Sequence, residues 1–81
     1  MPRLYLDVPQ FNAITQKTLQ ELRERLPDHL WLDNGDVDGT YRAWVSYEPP
    51  FDETTARTGV GEILGSLKQD GVDLAGIAVA E

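Results

Sequence analysis

The stretch that decides the fold of this chain is TYRAWVSYE, residues 40–48. It is the longest run of β-branched and aromatic residues in the sequence, and the character of its side chains alternates. Because successive side chains of a strand point to opposite faces of a sheet, this stretch predicts the strand around which the others are arranged. One face carries Tyr41, Ala43, Val45 and Tyr47, and the other carries Arg42, Trp44, Ser46 and Glu48.

Three further segments predict strands that can pair with this one. Alternating apolar residues at 3–8 predict a first strand, and residues 30–33 predict a short second strand. The segment 34–39 is rich in Asp, Asn and Gly, so it predicts a turn that joins the second strand to the third as a hairpin. Residues 74–80 predict the last strand.

Two segments repeat apolar residues at the spacing of an amphipathic helix. The first can be capped by Asn12 or Thr15 and runs to about Leu26. The second can be capped by Asp52, but it contains three glycines, each of which disfavours a helix by about 0.8–1 kcal/mol relative to alanine. The glycines therefore predict either a later start, near Thr58, or close packing of this helix on the sheet.

The order of the predicted elements is β-α-β-β-α-β, in one domain that spans residues 1–81. This order predicts an α+β fold of the ferredoxin-like class, a sandwich in which two helices cover one face of a four-stranded antiparallel sheet. Right-handed connections would place the first and third strands side by side in the centre. If the leucine side of the strands meets the helices, the open face of the sheet carries Tyr5, Trp31, Arg42 and Trp44.

Composition restricts the classes of function. Fourteen acidic residues against seven basic ones give a net charge of −7, which favours solubility and repels phosphate backbones. Because the chain has no cysteine, disulfides and thiolate metal sites are excluded. No apolar run approaches the length of about 20 residues that a membrane span needs, and the N-terminus has no apolar signal core. We therefore expect a cytoplasmic protein that does not bind a membrane.

The aromatic face of the sheet is the strongest functional indication. Clusters of exposed tryptophan usually mark a contact surface, and Trp, Tyr and Arg are the residue types that most often carry interface energy. We predict a protein-binding domain of the inhibitor, adaptor or regulatory type, whose partner the sequence does not identify. Its contact residues would be Trp44, Trp31, Tyr5 and Arg42. The alternative is that another part of the same chain covers this aromatic face. If a second copy of the chain covered it instead, the protein would be a homodimer. Some proteins of phages and mobile elements have this size and charge.

Two short segments resemble the strand motifs of the RNA-recognition motif. Residues 4–6 are similar to the start of its first-strand motif, and residues 43–47 are similar to the end of its third-strand motif. The resemblance implies that single-stranded nucleic acid stacks on the sheet aromatics. The chain departs from the motif because Arg42 stands where an aromatic residue belongs and no basic residue followed by glycine precedes it. Binding of a small ligand or of single-stranded nucleic acid therefore stays an alternative, and the acidic charge makes nucleic acid the less favoured of the two.

The weak candidate for a metal site is the set Asn34, Asp36 and Asp38. The segment 34–39 matches the opening of a calcium-binding loop, except that Asn replaces the first Asp. The position that should supply a bidentate glutamate is Val45, and the flanking elements are predicted strands rather than helices. Weak cation binding at this hairpin is a further alternative, and we predict no cofactor.

Residue types that carry catalysis are scarce. His29 is the single histidine, at a predicted junction between helix and strand, and the two serines, Ser46 and Ser66, have no sequence context typical of a nucleophile. The glycines at 59–65 lack the spacing and the preceding strand of a dinucleotide-binding loop. No cleft is predicted that would perturb the pKa of a carboxylate. The sequence therefore predicts a protein that is not an enzyme.

Overall fold

The computed structural model describes residues 2–81 of the chain. In chain order, the elements are β1 Arg3–Asp7, α1 Ala13–Arg25, β2 Trp31–Val37, β3 Thr40–Ser46, α2 Glu53–Gln69 and β4 Ala78–Val79. The four strands form one antiparallel sheet in the order β2-β3-β1-β4, so β1 and β3 are the two central strands. The predicted α+β composition, with a four-stranded antiparallel sheet and two helices, is confirmed.

The strand register assigns the side chains to two faces. Leu4 lies opposite Val45 and Tyr5 lies opposite Trp44 in the pairing of β1 with β3, and Val45 also lies opposite Leu32 of β2. Because directly opposed residues share a face, alternate positions of the strands form two distinct surfaces. We call them the core face, with Leu4, Leu6, Leu32, Ala43 and Val45, and the outer face, with Arg3, Tyr5, Trp31, Arg42 and Trp44.

The core face and the two helices share one hydrophobic core. Leu22 of α1 and Leu67 of α2 are fully buried, and they belong to the same cluster of side chains as Leu4 and Val45. Burying a side chain of this size stabilises a fold by about 1.5–3 kcal/mol relative to leaving it exposed. Across residues 2–81, neither helix has both the length and the apolar character that crossing a membrane would require.

Both predicted cap residues take part in starting α1. The side-chain oxygen of Asn12 accepts hydrogen bonds from the backbone N–H groups of Ile14 and Thr15, both at 3.0 Å. The Thr15 hydroxyl in turn accepts from the Asn12 N–H at 2.9 Å. This reciprocal pair is a capping box, which satisfies N–H groups that have no partner within the helix. Asn12 is therefore the cap and Thr15 its partner, and the predicted end near Leu26 agrees with the last helical residue, Arg25.

The start of α2 is earlier than the glycines suggested. The helix begins at Glu53 rather than near Thr58, because Asp52 caps it: its Oδ1 accepts a hydrogen bond from the Thr55 N–H at 2.8 Å. Hydrogen bonds from the Thr55 backbone and then from its side chain hold the pKa of the Asp52 carboxyl below its ordinary value of 3.8. The prediction of a late start is wrong, because the cap and the buried face of the helix outweigh the cost of the glycines.

Close packing on the sheet does not explain the glycines of α2 either. A Cβ added at Gly61 or Gly65 would meet no neighbouring atom within 4 Å. One added at Gly59 would lie 3.6 Å from Leu30 Cδ1, which is an ordinary contact. The helix tolerates these residues because its buried positions, Ala56, Val60, Leu64 and Leu67, anchor it in the core.

The hairpin is longer, and its turn shorter, than the sequence predicted. The segment 34–39 was expected to be a turn, but β2 continues to Val37, which lies opposite Thr40. The turn consists of Asp38 and Gly39, with φ values of 51° and 83°. Two residues with positive φ form the type I′ connection that matches the twist of antiparallel strands, and Asp-Gly is one of its preferred sequences. Pairing with β3 therefore overrides the turn-like composition of the segment before it.

The last strand is much shorter than the predicted segment 74–80. Ala75 and Gly76 have φ values of 51° and 81°, and the Ile77 N–H donates to the Leu74 carbonyl at 2.9 Å. This turn keeps the chain away from the sheet until β4 begins. As a result, β4 pairs only with the end of β1, and one further hydrogen bond joins the Ala80 N–H to a β1 carbonyl at 2.9 Å.

Candidate binding surface

The outer face brings together the four residues predicted to contact a partner. Tyr5 lies on β1, Trp31 on β2, and Arg42 and Trp44 on β3. Tyr5 and Trp44 are directly opposed, and Trp31 lies opposite Ser46 on the other side of β3. The alternation of the strands therefore places all four on the face away from the hydrophobic core.

The two tryptophans of the outer face differ sharply in exposure. Trp31 is 43 % exposed, whereas Trp44 is 7 % exposed although it lies outside the core cluster. The expectation that Trp44 faces solvent is wrong, because its neighbours on the same face cover it. The Arg3 guanidinium carbon lies 4.2 Å from the centroid of the Trp44 ring, and Tyr5 approaches the ring edge-on, with centroids 6.1 Å apart and planes at 64°.

The Trp44 ring reaches across the sheet to Gly35 of β2. A Cβ added at Gly35 would lie 3.5 Å from Cη2 at the tip of that ring, so the ring reaches across to β2 where no side chain is present. Arg42 lies opposite Gly35 in the register. A Cβ at Gly35 would therefore make an ordinary contact with the ring.

A second arginine covers the neighbouring aromatic ring. The Arg42 guanidinium carbon lies 4.1 Å from the centroid of the Tyr5 ring. The four side chains thus form a continuous row, which we call the aromatic–arginine stack: Arg3, Trp44, Tyr5 and Arg42. Each contact of a guanidinium with a ring contributes about 0.5–1 kcal/mol at an exposed site. The stack therefore holds two cationic groups in defined positions on the outer face.

Arg3 is the member of the stack that the sequence analysis missed. It precedes Tyr5 by two residues on the same strand, so the alternation already placed it on the outer face. It lies opposite Ser46, diagonally beside Trp44. Side chains at such diagonal positions are within reach of each other when one is long. The spacing of two residues between Arg3 and Tyr5 was therefore the sequence signal that could have identified Arg3 as part of this surface.

The two arginines of the stack are not neutralised by ion pairs. Within residues 2–81, the ion pairs shorter than 4.0 Å are Arg25–Asp70 and Arg57–Glu53. Asp33 is exposed on the outer face opposite Trp44, but it forms no ion pair of this length in that range. In a chain with a net charge of −7, the stack is therefore a local exception to the acidic surface.

A small cavity adjoins the stack at the N-terminal end of β1, where β1 does not pair with β4. Its volume is about 250 Å³, and it lies between this end of β1 and the first turns of α2. Arg57 lines it, donating from Nη1 to the Ala80 carbonyl at 2.9 Å, with Nη2 3.4 Å from Glu53 Oε1. Arg3 and Arg42 line the same cavity.

The hairpin does not form the loop that a calcium site would need. Asn34 and Asp36 occupy alternate positions of the extended strand β2, and Asp38 lies in the turn beyond it. A calcium-binding loop must bend around the ion to bring its oxygens together, and a straight strand separates them. Among the residues that the structure describes, no group of three or more His, Asp or Glu side chains is arranged to hold a metal ion.

The remaining candidates for chemistry make packing or surface contacts. His29 stacks on Phe51, with ring centroids 4.0 Å apart and planes at 17°. The Ser66 hydroxyl accepts a hydrogen bond from Arg25 Nη1 at 3.2 Å, and Ser46 lies on the outer face opposite Arg3. That the chain is not an enzyme stays a prediction from the sequence.

No protein-family model, curated protein or solved structure matches this chain.

Proposed function

We propose that this chain is a small, acidic, non-enzymatic protein-binding domain of the inhibitor, adaptor or regulatory type, which contacts its partner through the outer face. The observation that carries the proposal is the exposed Trp31 ring on the same face as the aromatic–arginine stack. Tryptophan and arginine are the residue types most often found at the energetic centre of an interface. Because the stack already holds its side chains in place, less conformational entropy is lost when a partner binds.

The two tryptophans have different roles in this proposal. Trp31 is the side chain that enters the partner, because nearly half of its surface is exposed. Trp44 supports the surface from beneath by holding Arg3 above its ring. Tyr5 does the same for Arg42. The contact groups on this surface are therefore the Trp31 ring and the two guanidinium groups.

The alternatives on the same surface have less support. Single-stranded nucleic acid and small aromatic ligands need accessible ring faces on which to stack. Trp44 is covered by Arg3, and Tyr5 is covered by Arg42. Trp31 is the remaining open ring of the cluster. A protein partner can use one such ring together with two fixed arginines, whereas a nucleic-acid strand needs a row of free rings. Weak cation binding at Asn34, Asp36 and Asp38 would need the hairpin to bend around the ion.

We also propose that the fold belongs to the ferredoxin-like class, with both helices on one face of the sheet. The element order and the adjacency of β1 and β3 support this assignment. Apolar side chains of both helices are buried together with the core face, which also supports it. Such an arrangement leaves the outer face free for a partner.

Self-association is compatible with this architecture and stays a prediction. β2 is an edge strand of the sheet, and it carries the exposed Trp31. A second copy could pair with that edge, because the backbone groups on its outer side have no partner strand in residues 2–81. A cytoplasmic location and an origin in a phage or mobile element also stay predictions.

The proposal is tested by affinity capture with three matched baits: the wild-type chain, Trp31→Ala and Ile14→Ala. Ile14 is the control because it is a large exposed apolar residue on α1, away from the outer face. A protein captured by the wild type is purified, and its dissociation constant is measured with each variant. We expect Trp31→Ala to weaken binding by about 2 kcal/mol or more, roughly 30-fold, and Ile14→Ala to have little effect. Equal affinity for the wild type and Trp31→Ala would exclude Trp31 as the anchor.

A further inference from the structure

We infer that the 250 Å³ cavity beside the stack binds a carboxylate, supplied by an acidic side chain of the protein partner. The inference rests on the proposed function, because it names the chemistry of the partner at the same surface. The cavity is bordered by the outer face on one side and by the first turns of α2 on the other. Its charged lining consists of Arg3, Arg42, Arg57, Glu53 and Glu81.

The charge of this lining is opposite to that of the whole chain. Three of the seven basic residues of the protein line the cavity, with two acidic residues, whereas the chain carries a net charge of −7. Glu53 is engaged with Arg57, with Oε1 3.4 Å from Nη2. Glu81 also lines the cavity and offsets part of the remaining charge, so the five charged side chains carry a net charge of +1. Glu81 forms no ion pair shorter than 4.0 Å with Arg3 or Arg42 within residues 2–81, so these two arginines are the cations that can act on a ligand. A concentration of positive charge in an acidic protein indicates an anionic ligand.

The arginines are also positioned before any ligand arrives. Trp44 holds Arg3, Tyr5 holds Arg42, and the Ala80 carbonyl accepts from Arg57. Within residues 2–81, the arginine side chains that donate hydrogen bonds to the protein are those of Arg23, Arg25 and Arg57, so the guanidinium N–H groups of Arg3 and Arg42 have no protein acceptor there. A guanidinium stacked on a ring keeps its N–H groups at the edge of the plane, where they can hold both oxygens of a carboxylate.

The size and composition of the site favour an acidic side chain over a phosphate backbone. A volume of about 250 Å³ is below the range of about 300–1,000 Å³ that is typical of pockets for small molecules. It is ample for a single carboxylate-bearing side chain. A nucleic-acid strand would present several phosphates, and it would meet the repulsion of the rest of the acidic surface.

The test is an NMR titration of the ¹⁵N-labelled chain with a blocked tetraglutamate peptide. A blocked tetraglutamine peptide of the same length is the neutral control, and inorganic phosphate and a thymidine oligonucleotide are the competing anions. We expect tetraglutamate to shift the backbone amides of Arg3 and Arg42 and their side-chain Nε–H signals, and tetraglutamine to leave them unchanged. The titration also gives a dissociation constant for each probe.

Variants then assign the binding to the cavity. We expect Arg42→Gln to raise the dissociation constant for tetraglutamate about tenfold, because it removes a charge-assisted hydrogen bond. Arg42→Lys keeps the charge but not the two-pronged geometry, so an intermediate loss of about threefold is expected. Lys68→Gln is the matched control, because it also removes one positive charge but at the opposite end of α2. Its dissociation constant for tetraglutamate should stay within about twofold of the wild-type value. The amide spectrum of each variant reports whether the fold is intact.

Several outcomes would overturn the inference. These are equal shifts with tetraglutamine, no shift with tetraglutamate, and the same loss of affinity in Lys68→Gln as in Arg42→Gln. Tighter binding of phosphate or of the oligonucleotide than of tetraglutamate would assign the cavity to a phosphate ligand instead. None of these results bears on Trp31, whose role is tested separately with the captured partner. A failure of the carboxylate site and a failure of the protein-binding surface can therefore be told apart.

Discussion

The two faces of the sheet protect their large side chains in different ways. On the core face, Leu4 and Val45 are buried in a cluster that also contains side chains from both helices. On the outer face, Trp44 is almost as well covered, but its cover is Arg3 and Tyr5 of the neighbouring strand. The comparison teaches that burial alone does not identify the core: it can also come from one layer of side chains lying flat on a sheet.

The two kinds of cover contribute differently to the free energy of folding. Cover by packed helices removes apolar surface from water over the whole core and links distant parts of the chain. Cover by a flat row of side chains also removes apolar surface from water, but only for the rings in that row, and each contact between them adds about 0.5–1.5 kcal/mol. We therefore expect substitutions on the core face to cost more stability than substitutions on the outer face.

The largest expected effect is that of Leu4→Ala on the core face. Leu4 is 2 % exposed and lies on a central strand, so the substitution leaves a cavity in the hydrophobic core. We expect the free energy of unfolding to fall by about 2–5 kcal/mol, measured by chemical denaturation. A loss below about 1 kcal/mol would mean that the helices do not form the principal cover of this face.

A smaller loss of stability is expected for Trp44→Ala on the outer face. The substitution removes the contact with Arg3 and the edge contact with Tyr5, which add about 1–2.5 kcal/mol beyond the burial of the ring itself. The loss stays below that of Leu4→Ala because the side chains that lie over the ring are at the surface and can close over the space it leaves. Trp31→Ala is the matched control, because an exposed side chain of the same type should change stability by no more than about 0.5 kcal/mol. If Trp44→Ala were more damaging than Leu4→Ala, the outer face would be the main core of the protein.

The smallest expected effect is a loss of stability in acid that acts through the cap at the start of α2. The pKa of Asp52 is lowered in the folded chain by its hydrogen bonds to Thr55. Its contribution to stability is therefore present above the ordinary pKa of 3.8 and is lost as the pH falls through the lowered value.

The variant that checks this dependence is Asp52→Asn, compared with the wild type in denaturation curves at several pH values. We expect the wild type to be the more stable of the two near neutral pH and the difference to shrink as the pH falls below 3.8. A difference that stayed constant down to the lowest pH would show that the charge of Asp52 does not contribute through the cap.

Local patterns in the sequence were enough to assign faces and caps. The alternation in residues 40–48 places Arg42 and Trp44 on the outer face, and the sequence predicts Asp52 as the cap of α2 and either Asn12 or Thr15 as the cap of α1. These features depend on neighbouring residues along the chain. Periodicity and hydrogen-bonding chemistry are therefore sufficient to predict them.

Features that depend on contacts between strands were not predictable in the same way. The cover of Trp44 comes from Arg3 and Tyr5 on β1, and alternation gives the face of a residue but not what lies over it. The length of β2 was missed because pairing with β3 overrides a turn-like composition. The shortness of β4 depends on a positive φ at Ala75, which alanine rarely adopts.

The most direct test of the different roles of the two tryptophans is ¹⁹F NMR of the chain labelled with fluorotryptophan, with Trp31→Phe used to assign the two signals. A soluble paramagnetic agent is added, and the broadening of each signal is measured. We expect the Trp31 signal to broaden strongly and the Trp44 signal to be protected, because their exposed fractions are 43 % and 7 %. Equal broadening of both signals would contradict the assignment of Trp31 as the contact residue and Trp44 as its covered support.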